Sequence, residues 1–441
     1  MNSRFNDEPI VLSLSVFDWR TISTALYHFA SIPFAGKRKL FSKDVNEGLF
    51  DFVDKIEGIW SEGVKESGYS ERVPARNCPY FESREVREFD KTVMLEATLT
   101  RNEFDILFVA VETVMKNEEN ISGLYDFKVI YCWESALDDL NETYNRLKRV
   151  AKETLRFPEI EVKQPENNAR VFPNAAASPS TRTRTIKLGD SDLVFRWIPL
   201  GTCRAGADFL APESFSDEIE RTITFDSGFW MMDSLVTTRM LCVFAQHFKH
   251  LKRQLEIDFS WLLDEEKQID PDERSNYPAE LTWRDATKFC RLLSLQFADK
   301  DESVLLPTED QWEYAALAGR DYSDVNSRDD ILKNGWVWEN LEEQEKYPFI
   351  RRLPHKSDEK APNPWGLYGM QGNLCEWTST RYRHPLVNDN DSILFKDMYV
   401  LRGCSDSELW SHGRTSFRRA RVADPWVRAG GLRPVIVSKA R

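Results

Sequence analysis

The chain has 441 residues and a formal net charge of −13 at pH 7, with 41% hydrophobic and 30% charged residues. Those proportions are ordinary for a globular protein, and the length is sufficient for two or three domains that each bury a core. The acidic balance disfavours general attraction to nucleic acid or to an anionic membrane surface. No stretch approaches the roughly 18 apolar residues that a membrane span needs.

The N-terminus and the cysteines both bear on the compartment. The first residues lack a basic region followed by a long apolar run, so we expect no secretory signal. The seven cysteines are widely scattered, and none of them are spaced as Cys-x-x-Cys. An odd number without framework spacing favours reduced thiols, and we therefore expect a cytoplasmic location.

Residues 1–160 mix the hydrophobic periods of strands and helices. Thr100 and Glu103 have the spacing of a capping box, which predicts the start of a helix. The other predicted elements are strands over Ile10–Val16, Thr92–Leu99 and Phe127–Trp133, and helices over Asp18–Ala30, Asp44–Val64 and Glu134–Leu155. The pattern predicts a small α/β or α+β domain, without indicating its function.

Residues 161–187 are rich in Pro, Asn, Ala and Ser, which predicts a linker in which Arg182 and Arg184 are solvated. Residues 188–441 predict a loop-rich α+β domain. Its predicted elements are strands over Leu193–Leu200 and Phe229–Met232, helices that begin at Thr282 and at the Thr308–Gln311 capping box, and acidic surface loops at 264–274 and 321–330.

The segment 363–377 reads NPWGLYGMQGNLCEW, with closely spaced glycines between bulky aromatic residues. Glycine is used where the backbone takes a positive φ or passes close to another group, and aromatic side chains at this density favour burial. The segment therefore predicts a tightly wound loop within the core. It carries one polar pair, Asn373 and Glu376.

This segment and several others, taken in order, resemble the formylglycine-generating-enzyme (sulfatase-modifying factor) superfamily. The other matching motifs are WIPLGT at 197–202, GFWM at 228–231, LTWRDATKFCR at 281–291, LPTEDQWEYAA at 306–316, LRGCS at 401–405 and GLRP at 431–434. The resemblance covers residues 190–437 and implies a variant of the C-type lectin fold for the C-terminal domain.

The resemblance implies where reactive groups would lie. Oxidases of this superfamily use two cysteines of the terminal segment, which corresponds to residues 405–430 here, to bind copper and activate oxygen. Soft thiolates are what Cu(I) requires. Alignment on the Gly403-Cys404-Ser405 stretch places Glu408 and Gly413 at those two positions. Cys404 replaces a glycine of the family, and we interpret it as a small buried hydrophobe. We therefore expect the oxidase chemistry to be absent.

A second branch of the superfamily, the ergothioneine-type sulfoxide synthases, binds iron through a His-x-x-x-His-x-Glu motif. The six histidines of this chain do not form that motif. His247 and His250 lie three apart on a predicted helix, where they could share a face, but no third ligand is evident. We interpret them as a surface or partly buried pair.

Asn373 and Glu376 align with a family position that can hold a structural calcium ion. Hard oxygen ligands suit Ca²⁺, and loop carbonyls could complete its shell. The alternative is that both side chains cap backbone amides of the loop. No other cofactor is expected.

The terminal segment also offers a binding surface. In C-type-lectin-like relatives, including the variable proteins of diversity-generating retroelements, this part of the fold displays ligand-contacting side chains. Trp and Arg are enriched in binding hot spots. The predicted surface comprises Glu408, Trp410, His412, Trp426 and Arg428. Arg414 and Arg418 align with internal arginines of the family and are expected in the core. The net charge disfavours nucleic acid as the ligand.

Two hypotheses follow. In the first, the C-terminal domain has lost oxidase chemistry and binds a partner, most simply another protein, while the N-terminal domain supplies a second interface or an effector function. The resemblance permits a bacterial signalling or CRISPR-associated defence context. In the second, the chain is an oxygen-dependent metalloenzyme with a rebuilt site that uses Cys404 and His412.

Overall fold

The computed structural model divides the chain into two compact units. The described residues are 10–15, 18–19, 22, 55–56, 94–116, 141–152, 182–211, 213–248, 276–341, 354–385, 397–423 and 428–439. The first unit comprises Met1–Ile160, Phe209–Asp217 and Arg383–Leu394, and the second comprises Glu161–Asp208, Glu218–Tyr382 and Phe395–Arg441. Two short segments that follow residue 188 in the sequence therefore belong with the N-terminal residues.

The first unit contains a two-stranded antiparallel ribbon. Strand β1 (Ile10–Ser15) pairs with β2 (Met94–Leu99), and Ile10 lies opposite Leu99. Side chains on β1 alternate between buried and exposed over most of its length, because successive residues of a strand point to opposite faces. Both strands confirm the predicted ones to within two residues.

Helix α1 (Arg101–Lys116) follows β2 directly and begins at the predicted capping box. The Thr100 amide donates to Glu103 Oε2 at 2.8 Å, and the Glu103 amide donates to Thr100 Oγ1 at 3.3 Å. These reciprocal bonds satisfy two amide groups that the first turn of a helix leaves without a partner. The capping box is therefore confirmed.

The core of the first unit combines α1, the helical residues 141–152 and the segment Phe209–Asp217. The Tyr144 ring lies 5.2 Å from that of Phe108 on α1 and 5.8 Å from that of Phe215. The predicted strand over 127–133 lies outside the described residues, as do most of the predicted helices over 18–30 and 44–64 and the ends of the one over 134–155.

The second unit is built on a five-stranded antiparallel sheet. Its strands, in spatial order, are β3 (Thr183–Leu188), β4 (Ser191–Ile198), β7 (Phe229–Met232), β12 (Val435–Ser438) and β8 (Glu302–Leu305). Because β3 begins at Thr183, the prediction that the linker extends to residue 187 is wrong. Arg184 is not solvated as expected, since its Nη1 donates to Glu302 Oε2 at 2.7 Å.

Two smaller antiparallel sheets accompany the central one. Strands β5 (Gly201–Ala205) and β6 (Arg221–Phe225) form a ribbon. Strands β9 (Glu376–Arg381), β10 (Met398–Arg402) and β11 (Arg419–Val422) form a sheet with β10 in the middle. This second sheet carries the glycine-rich motif at one end and frames the terminal segment.

Three longer helices pack against these sheets: α2 (Thr238–His247), α3 (Trp283–Phe297) and α4 (Glu309–Leu317). Thr282 caps α3 and Thr308 caps α4, as the sequence predicts. The prediction of a surface loop over 321–330 is wrong, because Asp321 and Ser327 cap the short helices α5 (Tyr322–Val325) and α6 (Arg328–Asn334). Acidic residues favour the first turn of a helix, which explains the charge of this stretch.

The content of helices and sheets makes this an α+β protein, as predicted. Within the described parts of the chain, no helix has the length and apolar character required to traverse a lipid bilayer.

Candidate functional site

The glycine-rich segment 363–375 has no regular secondary structure, as predicted. Its backbone takes positive φ at Gly366, Gly369 and Gly372 (81°, 59° and 75°). A Cβ atom on Gly372 would lie 2.0 Å from the carbonyl oxygen of Trp336. Only glycine therefore fits where these two backbone segments meet.

Glu376, at the start of β9, is held in a buried ion pair. Arg433 Nη2 lies 2.7 Å from Glu376 Oε1, and Trp312 Nε1 donates to Oε2 at 2.7 Å. Arg433 also donates to the carbonyl of Tyr368 in the glycine-rich segment at 2.7 Å. This one guanidinium connects the terminal GLRP motif to the loop and to β9.

Asn373 takes a left-handed backbone conformation (φ 70°) and binds a neighbouring segment. Its Oδ1 accepts from the His355 amide at 2.7 Å, and its Nδ2 donates to the His355 carbonyl at 2.8 Å. The amide group thus pairs with His355 as a backbone residue of a strand would. The Trp336 ring stacks on the His355 ring with 3.8 Å between centroids.

These contacts bear on the expected calcium site. Both oxygens of Glu376 accept from Arg433, and the side-chain oxygen of Asn373 accepts from a backbone amide. A cation beside this arrangement would have to compete with a guanidinium for the only carboxylate of the pair. The donor set therefore does not fit a calcium ion, and calcium binding there stays a prediction without support from the geometry.

The position aligned with the first reactive cysteine holds a carboxylate with several partners. Glu408 Oε2 forms an ion pair with Arg419 and lies 3.1 Å from His412 Nδ1. Its Oε1 accepts from the Ser405 amide at 3.1 Å and lies 3.5 Å from Cys375 Sγ. Charge-assisted bonds of this kind stabilise an ionised carboxylate in the interior.

Two residues of the predicted binding surface are buried. Glu408 and His412 are each 3% exposed. The His412 ring stacks on Phe417 with 4.4 Å between centroids, so its faces are in the interior as well. The prediction that these two side chains are displayed to a ligand is therefore contradicted. Glu408 is buried in an ion pair with Arg419, and His412 is buried beside Glu408.

The position aligned with the second reactive cysteine leaves no room for a side chain. A Cβ atom on Gly413 would lie 2.9 Å from Ile331 Cγ2 and 3.6 Å from Cys404 Sγ. Cys404 is 1% exposed and packs with Ile331 and Val337 in a small apolar cluster. Cys404 therefore behaves as the small buried hydrophobe that we expect from the sequence.

Arg402, at the end of β10, fixes the backbone that follows these positions. Its Nη1 donates to the carbonyls of Ser416 and Phe417 at 2.9 and 3.0 Å, and its Nη2 donates to the Thr415 carbonyl at 2.6 Å. Nη2 also forms an ion pair with Glu313 at 2.6 Å. Three consecutive carbonyls are thus held by one guanidinium that is 1% exposed.

Arg414 and Arg418 are 4% and 8% exposed, which confirms that they lie in the interior. Arg414 binds Glu218 with both terminal nitrogens, at 2.6 and 2.8 Å. Arg418 Nε lies 2.8 Å from Glu309 Oε2. Burial alone would raise the pKa of Glu309, but the arginines, led by Arg418, lower it below the usual value.

Trp410 and Arg428 are half-buried, while Trp426 lies outside the described residues. The Trp410 amide donates to Glu339 Oε2 at 2.9 Å, and the ring packs against the cluster around Cys404. The half-buried Trp338 lies on the neighbouring segment, since its amide donates to the Glu408 carbonyl at 2.9 Å. Two tryptophans therefore belong to adjoining segments of this part of the surface.

The structure describes only one of the two histidines that are predicted as a surface or partly buried pair. His247 ends α2, where its Nε2 lies 2.7 Å from Gln296 Nε2, while His250 lies outside the described residues. Where the structure describes the chain, no group of three or more His, Cys, Asp or Glu side chains could hold a metal ion.

Three important residues escape the motif-based prediction: Glu218, Arg402 and Arg419. Arg402 belongs to the LRGCS motif, so its position within a matched motif could have singled it out. Glu218 and Arg419 have no such signal, because their partners are distant in the sequence or matter only once the segment is folded. Their importance depends on tertiary contacts that hydrophobic periodicity does not encode.

The fold and its buried ion pairs define a class: an α+β domain in which Arg433 binds both Glu376 and the glycine-rich loop. Residues 191–437 match the model of the sulfatase-modifying factor enzyme 1-like domain. This match covers more than half of the chain, which therefore belongs to that family.

Curated relatives match a smaller portion. A formylglycine-generating enzyme of Streptomyces coelicolor is 34% identical over 131 residues, which make up 27% of this chain and 37% of that protein. The inactive C-alpha-formylglycine-generating enzyme 2 of Bos taurus is 28% identical over 144 residues, which make up 30% of this chain and 40% of that protein. The matched stretches thus span less than half of these relatives.

Two solved structures match part of this chain. The variable protein 1 of Treponema denticola is 19% identical, with 57% of this chain and 98% of that chain covered and a TM-score of 0.41. PvdO from Pseudomonas aeruginosa is 17% identical, with 57% and 97% covered and a TM-score of 0.42.

Proposed function

We propose that this chain is a non-catalytic member of its family that uses the C-terminal domain to bind another protein. One observation carries the proposal: the position of the first reactive cysteine holds Glu408, buried in an ion pair with Arg419. The N-terminal unit then supplies a second interface or an effector function. The proposed context is a bacterial signalling or CRISPR-associated defence system, in which the chain would act as an accessory protein.

Chemistry supports the non-catalytic half of the proposal. Cu(I) prefers soft thiolate ligands, whereas Glu408 is a hard carboxylate that already interacts with Arg419 and His412. Gly413 contributes no ligand atom, and a side chain there would collide with Ile331. A relative named as an inactive enzyme is compatible with this interpretation.

The composition of the terminal segment, and of the adjoining segment that carries Trp338, supports the binding half. Trp410, Trp338 and Arg428 are half-buried, and Trp and Arg side chains commonly dominate the binding energy of protein interfaces. The Glu339 carboxylate accepts from the Trp410 amide, which fixes the backbone that carries this ring. The net charge of −13 favours a protein over a nucleic acid as the partner.

The alternative is an oxygen-dependent enzyme with a rebuilt site at Cys404 and His412. Both residues are buried, at 1% and 3% exposure. Cys404 packs in the apolar cluster, and His412 is engaged with Glu408 and Phe417. No observation favours this alternative, so it serves as the competing outcome in the first test.

The first test measures redox chemistry. We expect the purified full-length protein to contain no stoichiometric copper or iron and to consume no oxygen with cysteine-containing peptides. The Cys404→Ser variant should be indistinguishable from the parent in both assays. Stoichiometric metal that is lost in Cys404→Ser, together with oxygen consumption, would overturn the non-catalytic assignment.

The second test locates the binding surface. Affinity capture from the native host, with mass spectrometry, is compared for the parent and for Trp410→Ala and Arg428→Ala. Leu295→Ala is the control, because Leu295 is an apolar side chain that is 73% exposed on α3. We expect a partner that is retained by Leu295→Ala and lost by Trp410→Ala. Retention of every partner by all variants would exclude this surface.

A further inference from the structure

Two segments of the later sequence are embedded in the first unit by buried polar contacts. In the first segment, Asp217 forms an ion pair with Lys116 on α1, and both residues are buried. Lys116 also lies 2.9 Å from Glu112, one turn earlier on the helix. Glu112 Oε2 accepts from the Ser216 amide at 3.1 Å. The segment Phe209–Asp217 is therefore fixed to α1 by charge as well as by packing.

The second segment reaches the same carboxylate. His384 Nε2 lies 3.4 Å from Glu112 Oε1 and 3.2 Å from Ser216 Oγ. Tyr144 donates its hydroxyl to Glu112 Oε2 at 2.6 Å. Glu112 thus binds both inserted segments from the interior of the first unit, where its side chain is 2% exposed.

The chain leaves the first inserted segment through a second buried ion pair. Glu218, the next residue after Asp217, belongs to the second unit and binds Arg414 there with both carboxylate oxygens. Its Oε2 also accepts from the Ser416 hydroxyl. Two adjacent residues therefore belong to different units: Asp217 pairs with Lys116 in the first unit, and Glu218 pairs with Arg414 in the second. Each ion pair is internal to its own unit, and the peptide bond joins them.

The chain enters the second inserted segment at a comparable junction. Tyr382 ends its part of the second unit, and Arg418 lies over its ring at 5.1 Å. Two residues later, His384 contacts Glu112 in the first unit. On the side of the second unit, both junctions therefore contact arginines of the terminal segment, Arg414 and Arg418.

We infer that the first unit controls the order of residues 410–418, which lie within the terminal segment, through these two junctions. Consecutive Cα atoms are about 3.8 Å apart, so Asp217 cannot shift by several ångströms while Glu218 keeps its bidentate geometry. Leaving either charge buried without its partner is strongly unfavourable, so the two pairs form or break together. The inference concerns the chain by itself and does not depend on the proposed binding function.

Amide hydrogen–deuterium exchange on the full-length protein tests this coupling. Lys116→Met removes the cation that pairs with Asp217. We expect exchange in peptides covering 410–418 to accelerate about fivefold or more, the lower end of common coupling factors between sites. Those amides include His412 and Phe417, which donate to the carbonyls of Leu409 and Arg414.

Thr143→Val is the matched control within the first unit. Thr143 is fully buried and donates to Asp18, so its loss perturbs the unit through a contact that does not involve Glu112. We expect faster exchange in the first unit without a change at 410–418. Equal acceleration at 410–418 in both variants would overturn the inference, because the effect would then be general destabilisation.

Tyr144→Phe is a milder variant in case Lys116→Met unfolds the first unit. It removes only the hydroxyl that binds Glu112. We expect a smaller change of the same direction at 410–418. If Tyr144→Phe accelerates exchange around Glu112 and Ser216 while 410–418 keeps the parent rate, the two units are uncoupled and the inference is wrong.

Discussion

Glu376 and Arg433 form a bidentate ion pair, with Nε 2.9 Å from Oε2 and Nη2 2.7 Å from Oε1. Their side chains are 1% and 0% exposed. The pair joins the GLRP motif to β9, and we therefore expect it to stabilise the three-stranded sheet that contains β9.

Arg433→Met should destabilise the protein strongly. It leaves the Glu376 carboxylate buried beside the Trp312 donor but without a cation, and removal of one partner of a buried pair costs about 3–5 kcal/mol. Guanidinium denaturation followed by tryptophan fluorescence measures the change. Arg204→Met is the control, because the Arg204–Glu220 pair is 76% and 51% exposed and contributes about 0–1 kcal/mol. Similar losses in the two variants would contradict the structural role of Arg433.

Gly372→Ala and Gly369→Ala form a matched pair within one loop. Both positions have positive φ, which costs an L-residue about 1–2 kcal/mol. At Gly372 the new Cβ also meets the Trp336 carbonyl at 2.0 Å, whereas nothing lies within 4 Å at Gly369. We expect Gly369→Ala to lose about 1 kcal/mol and Gly372→Ala about 3 kcal/mol or more.

Thermal unfolding of the two glycine variants side by side provides this comparison. The two positions share a positive φ and differ in whether a new Cβ atom would collide with Trp336. Equal shifts in the melting temperature would mean that backbone strain, rather than the close approach of two segments, explains the glycines of this loop.

Glu112 makes the stability of the first unit sensitive to acid. Burial alone would raise the pKa of Glu112, but Lys116, His384 and Ser216 together lower it well below its usual value. A carboxyl whose folded pKa is depressed contributes stability above the unfolded pKa, and that contribution is lost as the pH falls through the folded pKa. The loss therefore begins below about pH 4.5.

Glu112→Gln should remove this part of the acid sensitivity. We expect the variant to be less stable than the parent at neutral pH, with a smaller further loss between about pH 5 and pH 3. Urea denaturation at a series of pH values measures the slope. A variant as acid-sensitive as the parent would assign the effect to other carboxylates.

The described cysteines should be unreactive in the folded protein. The thiols of Cys242, Cys290, Cys375 and Cys404 are buried. Burial raises the pKa of the Cys290 thiol and raises the pKa of Cys203 to about 12, so little thiolate exists at neutral pH.

Alkylation at about pH 8, followed by peptide mapping, tests thiol reactivity, since the thiolate is the nucleophile. We expect these five cysteines to be labelled only after denaturation. Mapping separates them from Cys78 and Cys132, which lie outside the described residues. Rapid labelling of Cys404 in the folded state would contradict its assignment as a packing residue.

The sequence predicts the features that depend on local chemistry. The capping boxes at Thr100 and Thr308 and the glycine-rich loop are encoded within a few residues, and each is confirmed. The sequence predicts a loop where the two helices α5 and α6 lie, because their acidic residues suit both a solvated loop and the first turn of a helix.

The long-range features could not be predicted in the same way. Asp217 and Lys116 are 101 residues apart, so no motif or periodicity connects them. Glu408 is predicted as a surface residue because C-type-lectin-like relatives display ligand-contacting side chains in this segment, and only the folded β11 brings Arg419 beside it. Buried charge depends on a partner, and the partner is a property of the tertiary structure.

The pairing of Asn373 with both backbone groups of His355 has a consequence for substitution at position 373. The Asn373 amide supplies one acceptor and one donor, and the Trp336 ring stacks on the histidine that it binds. An ionised aspartate has acceptors only. Aspartate at 373 would therefore keep the bond from the His355 amide but leave the His355 carbonyl without this donor.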